Sequence, residues 1–280
     1  METAGRHTED LSLNVDIVQK ILVDFIRDET HNAGFKKGII GLSGGIDSTV
    51  AAYLAVKALG PENVLGVMMP YKLSSPSSKP DAELVARALG IRTELVDITP
   101  MVDGYLQKAN GIDNLRAGNV MARQRMIVLY DLSSREHALV IGTSNNTEIF
   151  LGYGTLFGDT ACAINPLGDL YKTQVWQLAE ALRVPKSLIE KKPSADLWEG
   201  QTDEGEFGFT YNKADHLLYF MIDERRSMTE LKDMGFEAEL VERVKNMVVK
   251  NQFKRRLPLI AKVSNRTVNV DFRYPRDWGI

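Results

Sequence analysis

The sequence predicts an α/β fold with a doubly wound, mostly parallel sheet and helices on both of its faces, as in Rossmann-like proteins. Short apolar runs of strand length alternate with helical patterns through the first half of the chain. Beyond residue 170 the pattern becomes mainly helical, and we expect a helical C-terminal part. Strands separated by helices pair in parallel, because each helix returns the chain to the same end of the sheet.

Each predicted element has its own local pattern. Apolar residues at helical spacing predict a first helix over residues 11–28, and the apolar run 37–42 predicts a buried strand that enters a glycine-rich turn. The same criteria predict the other elements. In chain order these are helix 49–59, strand 64–69, helix 81–89, strand 93–97, helix 119–132, strand 138–142, and the helices 170–182, 213–223 and 237–250.

Two polar segments interrupt this alternation and are predicted to be loops. Residues 72–80 are rich in serine and proline, whereas residues 192–206 are acidic and contain glycine. Long polar loops beside the carboxyl edge of a sheet often close over a site, although mobile surface loops have the same composition. No clear boundary divides the chain, so we expect a single domain over residues 1–280.

Composition argues against several classes of function. The 280 residues carry a formal net charge of −3, which gives no general attraction for nucleic acid or for an anionic membrane. The single cysteine, Cys162, lies in a mostly apolar run and is expected to pack, since it cannot form an internal disulfide or a cysteine-rich zinc site. Residues 1–10 lack the apolar stretch of a secretory signal, and no apolar run is long enough to span a bilayer. We therefore expect a cytoplasmic protein.

The most informative stretch follows the first predicted strand, where a glycine-rich loop opens a helix. A helix N-terminus has unpaired N–H groups and a partial positive charge, so it receives phosphate well. Gly44 and Gly45 let an anion approach the backbone closely, and Ser43 and Ser48 add hydroxyl donors. We therefore predict a loop that binds the phosphates of ATP. Its residues are Gly41, Leu42, Ser43, Gly44, Gly45, Ile46, Asp47 and Ser48.

This loop differs from the common nucleotide-binding loops. A Walker A loop ends in Gly-Lys-Ser or Gly-Lys-Thr, whereas Asp47 stands where that lysine would be. A carboxylate beside a polyphosphate is favourable only when a divalent cation bridges the two groups. The alternative is a tight strand-to-helix turn in which Asp47 merely lies near the start of the helix.

The motif Ser-Gly-Gly-x-Asp-Ser over residues 43–48 resembles the signature of the ATP pyrophosphatases, which cleave ATP between its α and β phosphates. Later segments narrow this resemblance, and their order and spacing are similar to those of the NAD synthetases over residues 11–275. The resemblance implies an adenine nucleotide alpha-hydrolase-like fold. The segments are 141–148, 152–154, 157–159, 164–167, 170–175, 192–197 and 254–258.

The resemblance also implies a reaction. NAD synthetases use ATP and Mg²⁺ to amidate deamido-NAD, giving NAD, AMP and pyrophosphate through an acyl-adenylate, in the final step of NAD biosynthesis. Use of glutamine would require a second catalytic module, for which a chain of 280 residues has no room. Free ammonia is therefore the expected donor, and a separate glutaminase subunit is the less favoured alternative. The resemblance further implies a homodimer, with residues 110–135 near its two-fold interface.

Specific roles follow from the resemblance position by position. It implies that Asp47 and Glu148 bind the metal and that Lys172 neutralises phosphate charge. Asp47, Lys172 and Asp159 are the implied catalytic residues, and Asp159 would orient the ammonia or take a proton. The remaining implied contacts are Thr143 and Ser194 to ATP, and Arg123, Asp159 and Lys254 to deamido-NAD.

Each of these residues also has a simpler interpretation. Lys172, Arg123 and Lys254 could be solvated charges, Glu148 could cap a helix, Asp159 could belong to a turn, and Thr143 and Ser194 could be ordinary loop hydroxyls. Three positions depart from the pattern of some relatives, which have a basic residue, an acid and a histidine there. All three lie on the side of the dinucleotide substrate, and they are Leu156, Ala163 and Phe253.

Two other functions stay open at this point. Another ATP pyrophosphatase, such as a GMP synthetase-like amidating enzyme, would use the same loop, but the segments around Glu148, Lys172 and Ser194 resemble it less. A nucleotide-binding sensor without turnover would keep the fold. Such a protein would have little need for both Asp47 and Glu148.

Overall fold

The structure, a computed structural model, describes residues 11–198, 200–256, 258–268 and 271. Its strands are β1 (Lys37–Gly41), β2 (Val64–Met68), β3 (Arg92–Leu95) and β4 (Ala138–Val140). They form a four-stranded sheet in the order β3-β2-β1-β4, and each neighbouring pair is parallel. The predicted parallel sheet is therefore confirmed. The expectations for residues 1–10, for Glu199 and Leu257 within their segments, and for residues 269, 270 and 272–280 concern positions outside the described ranges.

Helices precede, separate and follow these strands. Within the described ranges, none combines the length and the apolarity that crossing a membrane requires. A π-helical turn, Tyr219–Asp223, extends α10, and short 3-10 turns lie at Pro61–Asn63 and Gln252–Arg255. The helices are α1 (Val15–Asn32), α2 (Ile46–Leu59), α3 (Ser78–Leu89), α4 (Thr99–Leu106), α5 (Asn114–Glu136), α6 (Asn146–Leu151), α7 (Lys172–Ala181), α8 (Lys186–Ile189), α9 (Asp203–Phe207), α10 (Tyr211–Leu218), α11 (Met228–Asp233) and α12 (Ala238–Lys250).

Each face of the sheet has its own apolar core, because successive strand residues point to opposite faces. Ile40 belongs to the core that α1, α2, α3, α7 and α8 cover, whereas Ile39 belongs to the core beneath α4 and α5. Both side chains are fully buried. Burial on both faces explains why the strands are short continuous apolar runs rather than alternating ones.

A third apolar core lies beside the sheet and confirms the predicted helical C-terminal part. Helices α6, α9, α10, α11 and α12 contribute to it, with Tyr211 and Leu217 fully buried at its centre. The ring of Phe207 packs edge-on against that of Tyr211, with their centroids 5.6 Å apart. Burial of these aromatic side chains stabilises the packing of the helices that contribute to this core.

Two helix starts differ from the predicted ones where a capping side chain sets them, whereas α2 begins at Ile46 and not at residue 49 without such a cap. The first helix begins at Val15 and not at residue 11, because Asn14 accepts a backbone N–H of its first turn. Helix α5 begins at Asn114 and not at residue 119, since Asp113 caps it in the same way. Side-chain caps of this kind replace hydrogen bonds that the first turn of a helix cannot make internally.

Some helices lie where loops are predicted. Helix α3 already begins at Ser78, inside the segment 72–80, and α9 lies largely inside the segment 192–206. Helix α4 lies where no element is predicted, because eight residues that open with Thr-Pro give too short a periodic pattern. Residues 72–77 and the described residues of 192–202 lie outside helices and strands, in agreement with the predicted loops.

The strand order places the predicted site at a characteristic position. From β1 the chain proceeds to β2 and β3 on one side of the sheet, and it returns to β4 on the other side. The loops after β1 and β4 therefore leave the carboxyl edge side by side and open a crevice between them. Open parallel sheets bind their ligands in such a crevice.

Asp215 of α10 ties together the helices that line this crevice. Its carboxylate accepts a hydrogen bond from the Thr147 hydroxyl at 2.6 Å and another from the Thr173 N–H at 2.8 Å. The Thr147 oxygen in turn accepts the Lys172 N–H at 2.9 Å. Burial raises the pKa of Asp215 to about 6, against the two threonine contacts, which favour the charged carboxylate.

Replacing Thr147 with valine is expected to lower the free energy of unfolding by about 1–3 kcal/mol, because a buried N–H and a buried carboxylate lose a hydrogen-bond partner. Urea denaturation measures this change. Thr93→Val, at an exposed position of the edge strand β3, is the matched control and should change the same quantity by less than about 0.5 kcal/mol. Equal losses in the two variants would contradict the role of the Thr147 hydroxyl.

Asp215 should also make stability depend on pH. Its pKa of about 6 in the folded protein exceeds the ordinary value of 3.8, so the folded state holds this proton more tightly than the unfolded chain. The resulting contribution is fully present below about pH 4 and is lost as the pH rises through about 6. In thermal unfolding, the Tm of the wild type should exceed that of Asp215→Asn by more at about pH 4 than at about pH 8. The same Tm difference at both pH values would contradict this role of Asp215.

Candidate active site

The glycine-rich loop forms the turn between β1 and α2 at the carboxyl edge of the sheet. Gly45 precedes the first turn of α2, and no side chain of the described residues caps that turn. The Ser43 and Ser48 hydroxyl oxygens lie 3.0 Å apart, and Ser48 donates to the Gly45 carbonyl at 3.1 Å. The N–H groups at the start of α2 and these hydroxyls together suit a phosphate group.

Position 44 requires glycine, both for its backbone conformation and for the close contacts around it. Its φ of +73° is in the left-handed region, which side chains other than glycine rarely adopt. A Cβ at this position would lie 2.6 Å from the Ser78 carbonyl oxygen and 2.8 Å from the Asp81 Cβ. The loop therefore packs directly against the start of α3, and this contact fixes its shape.

The side chains of Asp47, Glu148 and Lys172 meet beside this loop. The Lys172 ammonium forms an ion pair with Asp47 and lies 3.4 Å from Glu148 Oε1. The lysine side chain is only 2% exposed, compared with 17% for Asp47 and 16% for Glu148. The three residues occupy the first turns of α2, α6 and α7, so the fold brings these separately predicted residues into one cluster.

Burial and charge together set the ionisation of this cluster. Burial by itself would lower the pKa of Lys172, but the attraction of Asp47 and Glu148 outweighs it and raises the pKa above the ordinary lysine value. Burial, followed by repulsion from Asp47, raises the pKa of Glu148 to about 8, although Lys172 opposes this shift. With both carboxylates ionised, the cluster carries an excess negative charge that a cation would neutralise.

The donor set fits a magnesium ion that shares its ligands with ATP. Mg²⁺ is usually held by one or two carboxylates and keeps its other positions for substrate phosphates and water. Asp47 and Glu148 supply two such carboxylates next to the predicted phosphate site. Nowhere in the described ranges do three or more His, Cys, Asp or Glu residues form a group that could hold a metal ion by themselves.

Asn145 positions both carboxylates, although it is not among the residues predicted from the sequence. Its Nδ2 donates to Asp47 Oδ1 at 2.9 Å, and its Oδ1 accepts the Glu148 N–H at 3.0 Å. Glu148 Oε2 accepts the Asn145 N–H at 3.3 Å, which completes a capping box at the start of α6. The spacing Asn-x-x-Glu over residues 145–148 is the sequence signal that could have identified Asn145.

Residues 192–206, which we call the covering segment, follow a lysine that reaches the phosphate loop, and their described part contacts the segment 72–80. Just before the covering segment, Lys191 Nζ pairs with Asp81 Oδ2 at 2.7 Å and lies 3.4 Å from the Gly44 carbonyl oxygen. Within it, Asp196 Oδ1 accepts the Ser75 N–H at 2.6 Å. The two predicted loops thus meet beside the phosphate loop, where a closing lid would have to lie.

The far end of the covering segment connects to the charged cluster. Asp203 is 4% exposed and accepts hydrogen bonds from the Tyr153 and Tyr211 hydroxyls, both at 2.9 Å. The Tyr211 ring centroid lies 5.0 Å from Lys172 Nζ. Sequence patterns carry no signal for this contact.

Ser194, the predicted ATP contact on the same segment, is exposed, and its hydroxyl accepts the Asp196 N–H at 3.1 Å.

The predicted substrate residues Lys254 and Asp159 both contact residues 152–160. Lys254 Nζ donates to the Gly152 carbonyl at 2.7 Å and to the Gly154 carbonyl at 2.8 Å. Asp159 Oδ1 accepts the Thr155 N–H at 2.8 Å. Loss of hydration lowers the pKa of Lys254, against the attraction of Asp159, and raises the pKa of Asp159. Two ionisable groups with shifted pKa values therefore meet at one short segment.

Arg123 reaches the same segment from α5. Its Nη2 donates to the Leu156 carbonyl at 3.2 Å. Leu156 is half-buried there, whereas Phe253, next to Lys254 in the chain, has 59% of its surface exposed, and Ala163 is exposed as well. Two of the three positions that depart from the family pattern thus adjoin Arg123 and Lys254.

Thr143 and Cys162 lie where the chain leaves β4. Thr143 is half-buried between Gly142 and the start of α6. A Cβ on Gly142 would lie 2.6 Å from the Cys162 sulfur, so this cysteine fills space beside the end of the strand. Burial raises the pKa of the Cys162 thiol, which keeps it protonated and agrees with the expected packing role.

Comparison with known proteins gives the family. A model of the family described as NAD synthase matches residues 17–258. A protein of Chlorobium phaeobacteroides named NH(3)-dependent NAD(+) synthetase is 55% identical over 272 residues, which cover 97% of this chain and 98% of that protein.

Solved structures agree with this match. The NH3-dependent NAD synthetase from Campylobacter jejuni, in complex with the nitrate ion, has a TM-score of 0.77 at 32% identity and aligns over 90% of this chain and 100% of its own. The NMN synthetase from Francisella tularensis has a TM-score of 0.80 at 34% identity and aligns over 89% of this chain and 99% of its own. The matched region contains the phosphate loop and the cluster of Asp47, Glu148 and Lys172. From sequence and fold together, this chain belongs to the NAD synthase family.

Proposed function

We propose that this protein is an ammonia-dependent NAD synthetase, which uses ATP and Mg²⁺ to amidate deamido-NAD. The observation that carries this proposal is the convergence of Asp47, Glu148 and Lys172 beside the glycine-rich loop. Such a site can hold a polyphosphate and its cation together. Relatives more than 50% identical are named NH(3)-dependent NAD(+) synthetase, which supports this reaction, and no feature of the site favours the sensor or the GMP synthetase-like alternative.

The chemistry begins with activation of a carboxylate, because ammonia does not displace hydroxide from it at a useful rate. The nicotinate carboxylate attacks the α-phosphorus of ATP, which gives an acyl-adenylate and releases pyrophosphate. Bound Mg²⁺ would supply charge neutralisation on the departing phosphates, held by Asp47 and Glu148. Lys172 and the N–H groups at the start of α2 add fixed positive charge at the same place.

Ammonia then attacks the activated carbonyl and AMP leaves. We assign Asp159 to orient the ammonia or to take a proton from it. Arg123 and Lys254 hold the dinucleotide beside residues 152–160, and Thr143 and Ser194 contact ATP. The covering segment excludes water from the adenylate, whose hydrolysis would consume ATP without forming an amide.

Free ammonia, a homodimer and a cytoplasmic location complete the proposal. One sheet with the cores around it supports a single synthetase domain. The dimer is supported by exposed large apolar side chains on α4 and α5, which fall in and next to the predicted interface at residues 110–135. These side chains are Met101, Tyr105, Leu115, Ile127 and Tyr130.

The deciding measurement is pyrophosphate release from Mg-ATP with ammonium, with different acids offered side by side. Deamido-NAD should give pyrophosphate and NAD in equal amounts. Nicotinate mononucleotide is included because a relative of known structure is named an NMN synthetase, and xanthosine monophosphate tests the GMP synthetase-like alternative. Pyrophosphate release only with another acid would identify that acid as the substrate in place of deamido-NAD. Release with none of the acids would favour a nucleotide-binding sensor.

Asp47→Asn and Glu148→Gln should each lower kcat for pyrophosphate release by at least about 10²-fold, because each removes half of the charge that would hold the cation. The Mg²⁺ concentration at half-maximal rate should rise in whichever variant keeps activity. Asp233→Asn, at an exposed position of α11, is the control and should match the wild type. Unimpaired pyrophosphate release by the Asp47 variant would show that the metal assignment is wrong.

A further inference from the structure

Leu197 anchors the middle of the covering segment to α5. The side chain is half-buried and packs against the core on the Ile39 face of the sheet. Its Cδ1 lies over Gly118, a buried residue near the start of α5. A Cβ at position 118 would lie 2.7 Å from that Cδ1, and 3.6 Å and 3.7 Å from the Leu197 Cγ and Cβ. The missing side chain at Gly118 thus leaves the space that Leu197 fills.

The backbone does not explain a glycine at this position. Gly118 lies within α5 and is not among the glycines with positive φ, so alanine could adopt its conformation. Glycine inside a helix is intrinsically less favourable than alanine. The contact with Leu197 is therefore the structural reason for this glycine.

Through this contact, Leu197 joins the two sides of the active site. The covering segment carries Ser194 on the ATP side. Helix α5 carries Arg123 on the substrate side, and its Asn119 accepts the Thr155 hydroxyl at 2.8 Å. A covering segment without this anchor could shift relative to both substrates.

We propose that Gly118 is a positioning residue, whose empty side-chain space seats Leu197 and so holds the covering segment closed over the reacting groups. This inference rests on the proposed adenylate chemistry. A segment that does not seat would admit water to the activated carbonyl, so ATP would be consumed without formation of the amide.

Leu197→Ala removes the side chain that fills the space, and Gly118→Val fills the space from the other side. Each variant should lower kcat about tenfold, because small displacements of aligned groups are costly. Each should also raise the ratio of AMP released to amide formed by at least about twofold, as water competes with ammonia. Gly104→Val is the matched control, since Gly104 is an exposed helical glycine of α4 with nothing within 4 Å of an added Cβ. It should change neither quantity.

The double variant shows whether both changes act through the same contact. Each single substitution already prevents Leu197 from packing over position 118. The double variant should therefore be no less active than the less active of the two single variants. Two losses that multiply would overturn the proposal. A Gly118→Val protein that behaves like Gly104→Val would also overturn it.

Limited proteolysis tests the contact without any substrate. Chymotrypsin should cleave after Trp198, next to Leu197, about tenfold faster in Gly118→Val than in the wild type or Gly104→Val, since a segment that opens is cut more often. The Gly118 variant leaves the sequence around Trp198 unchanged. Failure of the wild type to form NAD would reject the proposed function and leave this comparison valid. Unchanged cleavage would reject the positioning role itself.

Discussion

The buried ammonium of Lys172 is the constraint on which the arrangement of the site depends. A charged lysine with 2% of its side chain exposed is stable only with carboxylates in contact, and Asp47 and Glu148 provide them. These residues belong to different helices, so α2, α6 and α7 must all begin at the same point of the carboxyl edge. One carboxylate would balance the charge of Lys172, so the second leaves a net negative charge when both are ionised. This negative charge makes the cluster suitable for a further cation.

Hydrogen bonds extend this constraint in two directions. Behind the cluster, Thr147 and Asp215 fix the first turns of α6 and α7 against α10. In front of it, the Tyr211 ring contacts Lys172, and the Tyr211 hydroxyl binds Asp203 at the end of the covering segment. The groups that would bind phosphate and the segment that would cover them are therefore parts of one connected network.

The features predictable from the sequence were those with a local pattern. The apolar strands and the glycine-rich turn before α2 each consist of a few consecutive residues, and the structure has them where the patterns indicate. Helix starts were missed where a single cap sets them, as at Asn14, and α4 was too short to show periodicity. The roles of Ser194 and Asp159 came from family resemblance and stay predictions.

Tertiary contacts had no such pattern to reveal them. Asn145 binds Asp47 across 98 positions of the chain, and only the fold shows that the two are neighbours. In the same way, a glycine at position 118 looks unremarkable until Leu197 is found above it. In both cases the informative quantity is a distance between elements, which periodicity and composition do not encode.

The two oxygens of Glu148 have different tasks. Oε2 accepts the N–H of Asn145 and caps α6, whereas Oε1 contacts Lys172. A carboxylate engaged in this way offers one oxygen to a cation and does not chelate it with both. Ca²⁺ readily takes carboxylates in bidentate fashion and tolerates irregular, crowded coordination, whereas Mg²⁺ requires a compact octahedron and keeps water in it. Because capping of the six-residue helix α6 occupies one oxygen of Glu148, this carboxylate would bind a cation through a single oxygen and would favour Mg²⁺ over Ca²⁺.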